Sequence, residues 1–143
     1  MLFRSNGDLV RLSAEGPEVI DELPSGRLYK DGALLVDAAA RTVAARRRLG
    51  FSGVVSVALA LDDRGALAAD PELELIGIPE SDAAGEPMAE IARAAVEEAF
   101  ASLPKPRRRD PDSVAEAVRR AVRSAIAERW NKKPICHVHV LSV

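Results

Sequence analysis

The only cysteine of the chain and both of its histidines sit together in Pro134-Ile135-Cys136-His137-Val138-His139-Val140-Leu141. Thiol and imidazole are the groups that ligate transition metals and act as nucleophile and base. If this chain carries chemistry, this run is where it would concentrate. Read as a strand, the run places His137 and His139 on one face, about 7 Å apart along the chain, and turns Cys136 to the other. Two imidazoles at that spacing make half of a zinc site, and no motif elsewhere supplies a third ligand. Cys136 and His137 are strand neighbours facing apart, which is not a nucleophile–base dyad, and nothing around the thiol predicts activation. The expectation is therefore that no catalytic residue, metal or cofactor belongs to this chain, with His137 and His139 serving packing or an interface.

The other groups that could do chemistry are arginines. Arg46-Arg47-Arg48 forms one cluster and Lys105 with Arg107-Arg108-Arg109 another, while Arg119, Arg120, Arg123 and Arg129 follow at helical spacing. Guanidinium groups so placed can contact phosphates without reading sequence. Arg107, Arg108, Arg109, Arg119, Arg120 and Arg123 are thus the candidate phosphate contacts, weighed against a plainly solvated helix face and loop. Aromatic residues for stacking on single strands are not interleaved with them. There is no Gly-x-x-x-x-Gly-Lys-[Ser/Thr], no Gly-x-Gly-x-x-Gly and no Gly-x-Ser-x-Gly, so nucleotide hydrolysis, dinucleotide binding and a serine elbow have no support.

The elements that must position these groups follow from composition and periodicity. At 143 residues, 48% hydrophobic and 29% charged, the chain suits one globular domain with a flank. Only 3% of residues are aromatic, so alanine, valine and leucine must fill a core that can lean on a partner surface. The net charge of -2 gives no general pull toward nucleic acid or anionic membrane. A single cysteine fits a reducing compartment. No apolar run approaches the roughly 20 residues of a spanning helix, and Met1 to Asp8 lacks an apolar centre, so no secretory signal is expected. The expected location is cytoplasmic, with no membrane partner.

Residues 1–36 read as short strands broken at Asn6-Gly7-Asp8, at Gly16-Pro17 and at Pro24-Ser25-Gly26, with a tight hairpin turn at Asp31-Gly32. They are too short to stand alone and look like the edge of a larger sheet. Asp37 is placed to cap a helix over 38–48 that ends near Gly50, with Arg46-Arg47-Arg48 in its last turn. From Phe51 a compact unit begins. Val54 to Leu61 is a strand with Val55, Val57, Leu59 and Leu61 on one face, and 72–78 is a second strand antiparallel to it. A helix over 86–103 carries the stripe Met88, Ile91, Ala92, Ala95, Ala99 and Leu103, with Pro87 in its first turn. A helix over 111–130, capped by Asp110, carries Val114, Val118, Ala121, Val122, Ala125 and Ile126. The strand over 134–142 completes a β-β-α-α-β order. The expected fold class is α/β (α+β): a three-stranded sheet with two helices on one face. On the last strand, Cys136, Val138 and Val140 compete with Ile135, His137, His139 and Leu141 for the covered side.

The order of these segments resembles the C-terminal region of ribonuclease J over nearly all of the chain. The residues carrying the resemblance are Asn6-Gly7-Asp8-Leu9-Val10-Arg11-Leu12, Gly26-Arg27-Leu28-Tyr29-Lys30-Asp31-Gly32, Arg46-Arg47-Arg48 and Gly53-Val54-Val55-Ser56-Val57. They continue with Asp70-Pro71-Glu72-Leu73, Leu75-Ile76-Gly77-Ile78 and Trp130-Asn131-Lys132-Lys133-Pro134-Ile135. The resemblance implies that 1–36 are terminal strands of a metallo-β-lactamase domain, 37–50 a linker helix and 51–143 the small C-terminal domain of such an enzyme. It implies a parent with an inserted β-CASP domain that degrades and processes RNA, as exo- or endonuclease, with zinc held on an upstream His-x-His-x-Asp-His motif. His137-Val138-His139 echoes only the first half of that motif and lies in the wrong part of the family pattern, so no catalytic role is carried over. The domain's implied role is to support oligomerisation and activity, its partners being its own catalytic domains and a second copy, with RNA reached through the parent enzyme. A basic RNA-contacting module and a free-standing metal-dependent enzyme on His137 and His139 are the rival readings.

Overall fold

The structure is a computed structural model that describes residues 5–143; the first four residues of the expected N-terminal strand segment lie outside it. The chain divides into two compact units, one ending at Ala45 and one spanning Arg46–Val143.

The first unit is built of two hairpins. β1 (Asp8–Ser13) pairs antiparallel with β2 (Gly16–Glu22), and β3 (Leu28–Asp31) with β4 (Leu34–Asp37). Among the described residues each pair forms its own two-stranded sheet. Gly16-Pro17 does not break the chain as expected: Ser13 pairs Gly16 and Leu12 pairs Pro17, so the turn is Ala14-Glu15 and the proline sits inside an edge strand. The second turn is Gly32-Ala33, one residue later than expected, because Asp31 already pairs with Leu34. Leu12, Leu28, Leu34 and Leu35 are all more than 60% exposed, which leaves these hairpins with apolar side chains they do not bury.

α1 (Arg41–Ser52) starts and ends later than its sequence signals indicate. Asp37 caps a turn instead: its carboxylate accepts from the Ala39 N–H at 2.7 Å and its carbonyl from the Ala40 N–H at 3.0 Å. The helix then runs through Gly50 and stops at Gly53, whose φ of +63° is left-handed and whose N–H returns to the Leu49 carbonyl at 2.9 Å. Arg46-Arg47-Arg48 therefore lies in mid-helix.

The second unit has the expected mixed α/β class. β5 (Val54–Leu61) is the middle strand, β6 (Glu72–Ile76) pairs antiparallel on one side, and β7 (Ile135–Ser142) pairs parallel on the other. α2 (Met88–Ser102) and α4 (Pro111–Trp130) are joined through Pro104 and a single helical turn, α3 (Lys105–Arg108). Asp110 caps α4 by accepting from the Ser113 N–H at 3.2 Å. Asn131, with φ of 57°, ends α4 in the left-handed conformation. Pro87 is the residue before α2 rather than in its first turn.

The core lies between the helices and one sheet face. Val55, Val57, Leu59 and Leu61 are buried on β5, as their alternation predicts, and Val114, Val118, Val122 and Ile126 are fully buried along α4. Leu73 and Leu75 of β6 and Cys136, Val138 and Val140 of β7 pack against that cluster. The register pairs Val55 with Cys136, Val57 with Val138 and Leu59 with Val140, so these residues share the covered face. α2 buries Val96 and Phe100 beyond its expected stripe, because it meets both α4 and the sheet and needs a wider apolar face than one stripe provides.

Two loops repeat one device. In Asp62-Asp63-Arg64-Gly65-Ala66, the Asp62 carboxylate accepts from the N–H of Arg64 and Ala66. In Asp82-Ala83-Ala84-Gly85-Glu86, Asp82 accepts from Ala84 and Glu86 in the same way. Asp82 adds an ion pair: Arg129 of α4 donates to it at 3.0 Å and reaches Glu86 at 3.3 Å, with the Asp82 side chain only 4% exposed. The Glu86 N–H above all, then the Ala84 N–H and the Arg129 charge, hold the Asp82 carboxyl below the ordinary carboxylate range. A depressed folded-state value contributes stability above the unfolded value of about 3.9 and loses it as pH falls through the lower folded value. Asp82→Asn is expected to lower stability at neutral pH and to flatten the decline in urea midpoint on acidification below about pH 4. An unchanged acid limb would remove Asp82 from that role.

Candidate interaction surface

His137 and His139 stand on the sheet face opposite the helices, and Cys136 points to the covered face. Strand alternation alone predicted that separation. Burial pushes the Cys136 thiol up, against a smaller opposing pull from Arg123 and Arg119 of α4. The thiol is thus disfavoured as a thiolate nucleophile. Among the described residues, no group of three or more His, Cys, Asp and Glu side chains is placed to hold a metal ion. Among the described residues, the two exposed imidazoles have no third donor grouped with them.

The candidate RNA-contact arginines fall into two groups with different surroundings. Arg108 is engaged internally: it donates to the carbonyls of Leu103 at 2.8 Å and Ala101 at 2.7 Å and lies over the Phe100 ring at 5.1 Å. Arg109 reaches the Arg64 carbonyl at 3.5 Å, and Arg107 lends positive charge to the Asp110 cap. Arg108 and Arg109 border a cavity of about 350 Å³ with Asp62, Asp63 and Val143. On α4, Arg119 and Arg120 both pair with Glu116. Arg120 and Arg123 border a separate cavity of about 480 Å³ with Glu128, Asn131 and Lys133. The structure joins Arg120 and Arg123 with Lys133, and places Arg108 and Arg109 elsewhere.

The uncovered sheet face has a composition that no single segment displays. Across it run the rows Ile76–Val54–Ile135, Glu74–Ser56–His137 and Glu72–Ala58–His139, followed by Ala60–Leu141. The middle strand offers only small or modest side chains at Ser56, Ala58 and Ala60. Glu72 and Glu74 are exposed along one edge, and His137 and His139 along the other. Sequence reading singled out the histidines but not the glutamates. The signal that pairs them is the strand register, which no local motif encodes. Lys132 at the end of α4 is a second feature missed from sequence: its ammonium lies 4.5 Å from the Phe51 ring centre and 4.9 Å from that of Trp130.

Residues 41–143 match the Ribonuclease J C-terminal domain model. The chain belongs to the ribonuclease J C-terminal domain family. The match takes in the whole second unit, including both arginine groups and the histidine strand. Over 138 residues the chain is 44% identical to a ribonuclease J of Sinorhizobium meliloti, covering 96% of this chain and 24% of that protein. It is 26% identical over 136 residues to a ribonuclease J of Corynebacterium glutamicum, covering 94% of this chain and 18% of that one. A ribonuclease J of Synechocystis is 35% identical over 74 residues, covering 52% of the chain. The chain spans about a quarter or less of the length of these curated relatives. The resemblance read from segment order is thereby upheld. Among the described residues, no helix is long and apolar enough to cross a membrane.

Proposed function

We propose that this chain is the non-catalytic C-terminal portion of a ribonuclease J-like RNA-degrading enzyme, and that it supports oligomerisation and activity of a zinc-dependent catalytic core in the cytoplasm. The observation that carries this reading is the half-covered sheet: a ribonuclease J C-terminal domain whose two long helices pack on one face leaves the other available for association. The exposed leucines of the two hairpins support it, since they are apolar surface suited to the metallo-β-lactamase and β-CASP portions of the parent. The hydrolytic zinc chemistry belongs, in this reading, to residues outside this chain. The test is sedimentation equilibrium of the chain at rising concentration. The expected result is a mass that grows beyond the 15.3 kDa of one copy, and a strictly monomeric chain would overturn the self-assembly role.

A second reading, an RNA-contacting basic module, is favoured by one observation: Arg120, Arg123 and Lys133 border the same cavity. It calls for retardation of single-stranded RNA at low salt that weakens as salt rises. No retardation at low salt would eliminate it.

A further inference from the structure

We propose that the uncovered face of the three-stranded sheet docks a second copy of this chain, with Glu72 and Glu74 of each copy set against His137 and His139 of the other. The inference rests on the assembly reading above and adds the surface, the symmetry and the pairing to it.

The argument begins with the division of charge across the face. β6 carries both acids, β7 carries both imidazoles, and β5 between them carries Ser56, Ala58 and Ala60. Stacked sheets pack about 10 Å apart with strands within about 30° of alignment. Two nearly aligned two-fold arrangements are then open to a pair of identical faces. A two-fold axis running across the strands stacks β6 on β6 and β7 on β7, which sets acid against acid. An axis running along β5 carries β6 of one copy over β7 of the other, and every acid row meets an imidazole row twice over. Charge selects the second arrangement, an isologous contact of the kind closed dimers use. The small central floor lets the two sheets approach, and Ile76, Ile135 and Leu141 supply apolar rim.

Size sets the strength. Three strands about 4.8 Å apart and six or so residues long offer on the order of 300–500 Å² per copy, below the roughly 800 Å² per partner of a standard stable interface. The contact is accordingly a weak one that the rest of a larger assembly would reinforce.

The experiment measures self-association of the full chain by sedimentation equilibrium, for the wild type and three variants whose folds are checked by circular dichroism. Glu72→Lys/Glu74→Lys sets ammonium against imidazole, and His137→Glu/His139→Glu sets acid against acid, so each alone should lose about tenfold or more in affinity. Mixed in equal amounts they should pair with one another, because every facing row is then complementary. Ala58→Gln adds bulk to the floor without charge and should weaken the wild-type contact by about tenfold. Wild-type association that none of the three variants changes would place the docking surface elsewhere, as would occupation of this face by another part of a longer protein, while leaving the assembly reading intact. Folded charge variants that fail to pair when mixed would overturn the acid–imidazole assignment. A monomeric wild type would overturn the assembly reading and this proposal together.

Discussion

Leu59→Ala is expected to remove about 3 kcal/mol of stability from the second unit, whereas Leu141→Ala on the same sheet should cost no more than about 0.5 kcal/mol. Both are leucines in strands, and Ala60, the next residue after Leu59, pairs with Leu141 across β5 and β7. The difference is the face. Leu59 is 2% exposed and sits in the cluster formed by β5, α2 and α4, so truncation removes buried methyl groups and leaves a cavity that a packed alanine–valine core fills poorly. Leu141 is 60% exposed on the uncovered side, where water closes over the missing atoms. For a unit of this size, the first change lowers the thermal midpoint by roughly 12–20 °C and the second by roughly 3 °C or less. Equal effects in thermal or urea unfolding would mean that the helices do not cover the face carrying Val55, Val57 and Leu59. Because Leu141 borders the proposed docking face, its truncation should show in the association constant rather than in the midpoint.

Gly53→Ala should be a costly single-methyl addition, and Gly77→Ala is its built-in control. Both glycines have left-handed backbones, φ +63° and +67°. An L-residue there costs roughly 1–2 kcal/mol from its own Cβ against the following carbonyl. The surroundings differ. A Cβ on Gly53 would lie 2.7 Å from a side-chain carbon of Ile78, 2.8 Å from the Gly77 carbonyl oxygen and 3.0 Å from that of Ile76. Two of those atoms are backbone, one at the last residue of β6 and one just beyond it, so relief requires moving the chain at the end of the β5–β6 ladder. A Cβ on Gly77 meets only the Gly53 Cα, at 3.7 Å, an ordinary contact. Gly77→Ala should therefore cost about 1–2 kcal/mol and Gly53→Ala about 1–3 kcal/mol more, the range of an overpacked site. Urea unfolding of both variants measures the gap. Indistinguishable midpoints would show that the β6 end shifts freely to make room.

These expectations depend on features that the sequence displays to different degrees. The strict two-residue alternation of Val55, Val57, Leu59 and Leu61 predicts the buried face of β5, because three of its four intervening residues are alanine or serine. The α4 stripe is equally plain, since Asp110 and Pro111 mark where it starts and arginines fill its other side. β7 is different. Both of its alternations are apolar enough to be buried, and what decides is its parallel register with a strand far back in the chain, which puts Val138 beside Val57. The same long-range register hides that Glu72 and Glu74 share a sheet face with the histidines, since acids on an edge strand look like ordinary solvated residues. α1 was misplaced for a local reason. Asp37 has two uses, a helix cap or a turn, and the carboxylate bond to Ala39 takes the second; Gly50 then fails to stop a helix because nothing there requires a left-handed residue, while Gly53 does.

The parallel pairing of β5 with β7 bears on how the second unit reaches its fold. Val54 pairs with Ile135, so the ladder closes a loop of about 80 residues, and non-local closure of this kind slows folding. The contacts of β5 with β6 and of α2 with α4 span shorter stretches and can form earlier. A partly folded chain then exposes one edge of Val54-Val55-Ser56-Val57-Ala58-Leu59-Ala60-Leu61, eight residues without charge or proline. An unpaired, uncharged edge of that composition is a template for pairing with other chains. Refolding yield at high protein concentration is thus governed by how soon β7 arrives to occupy that edge.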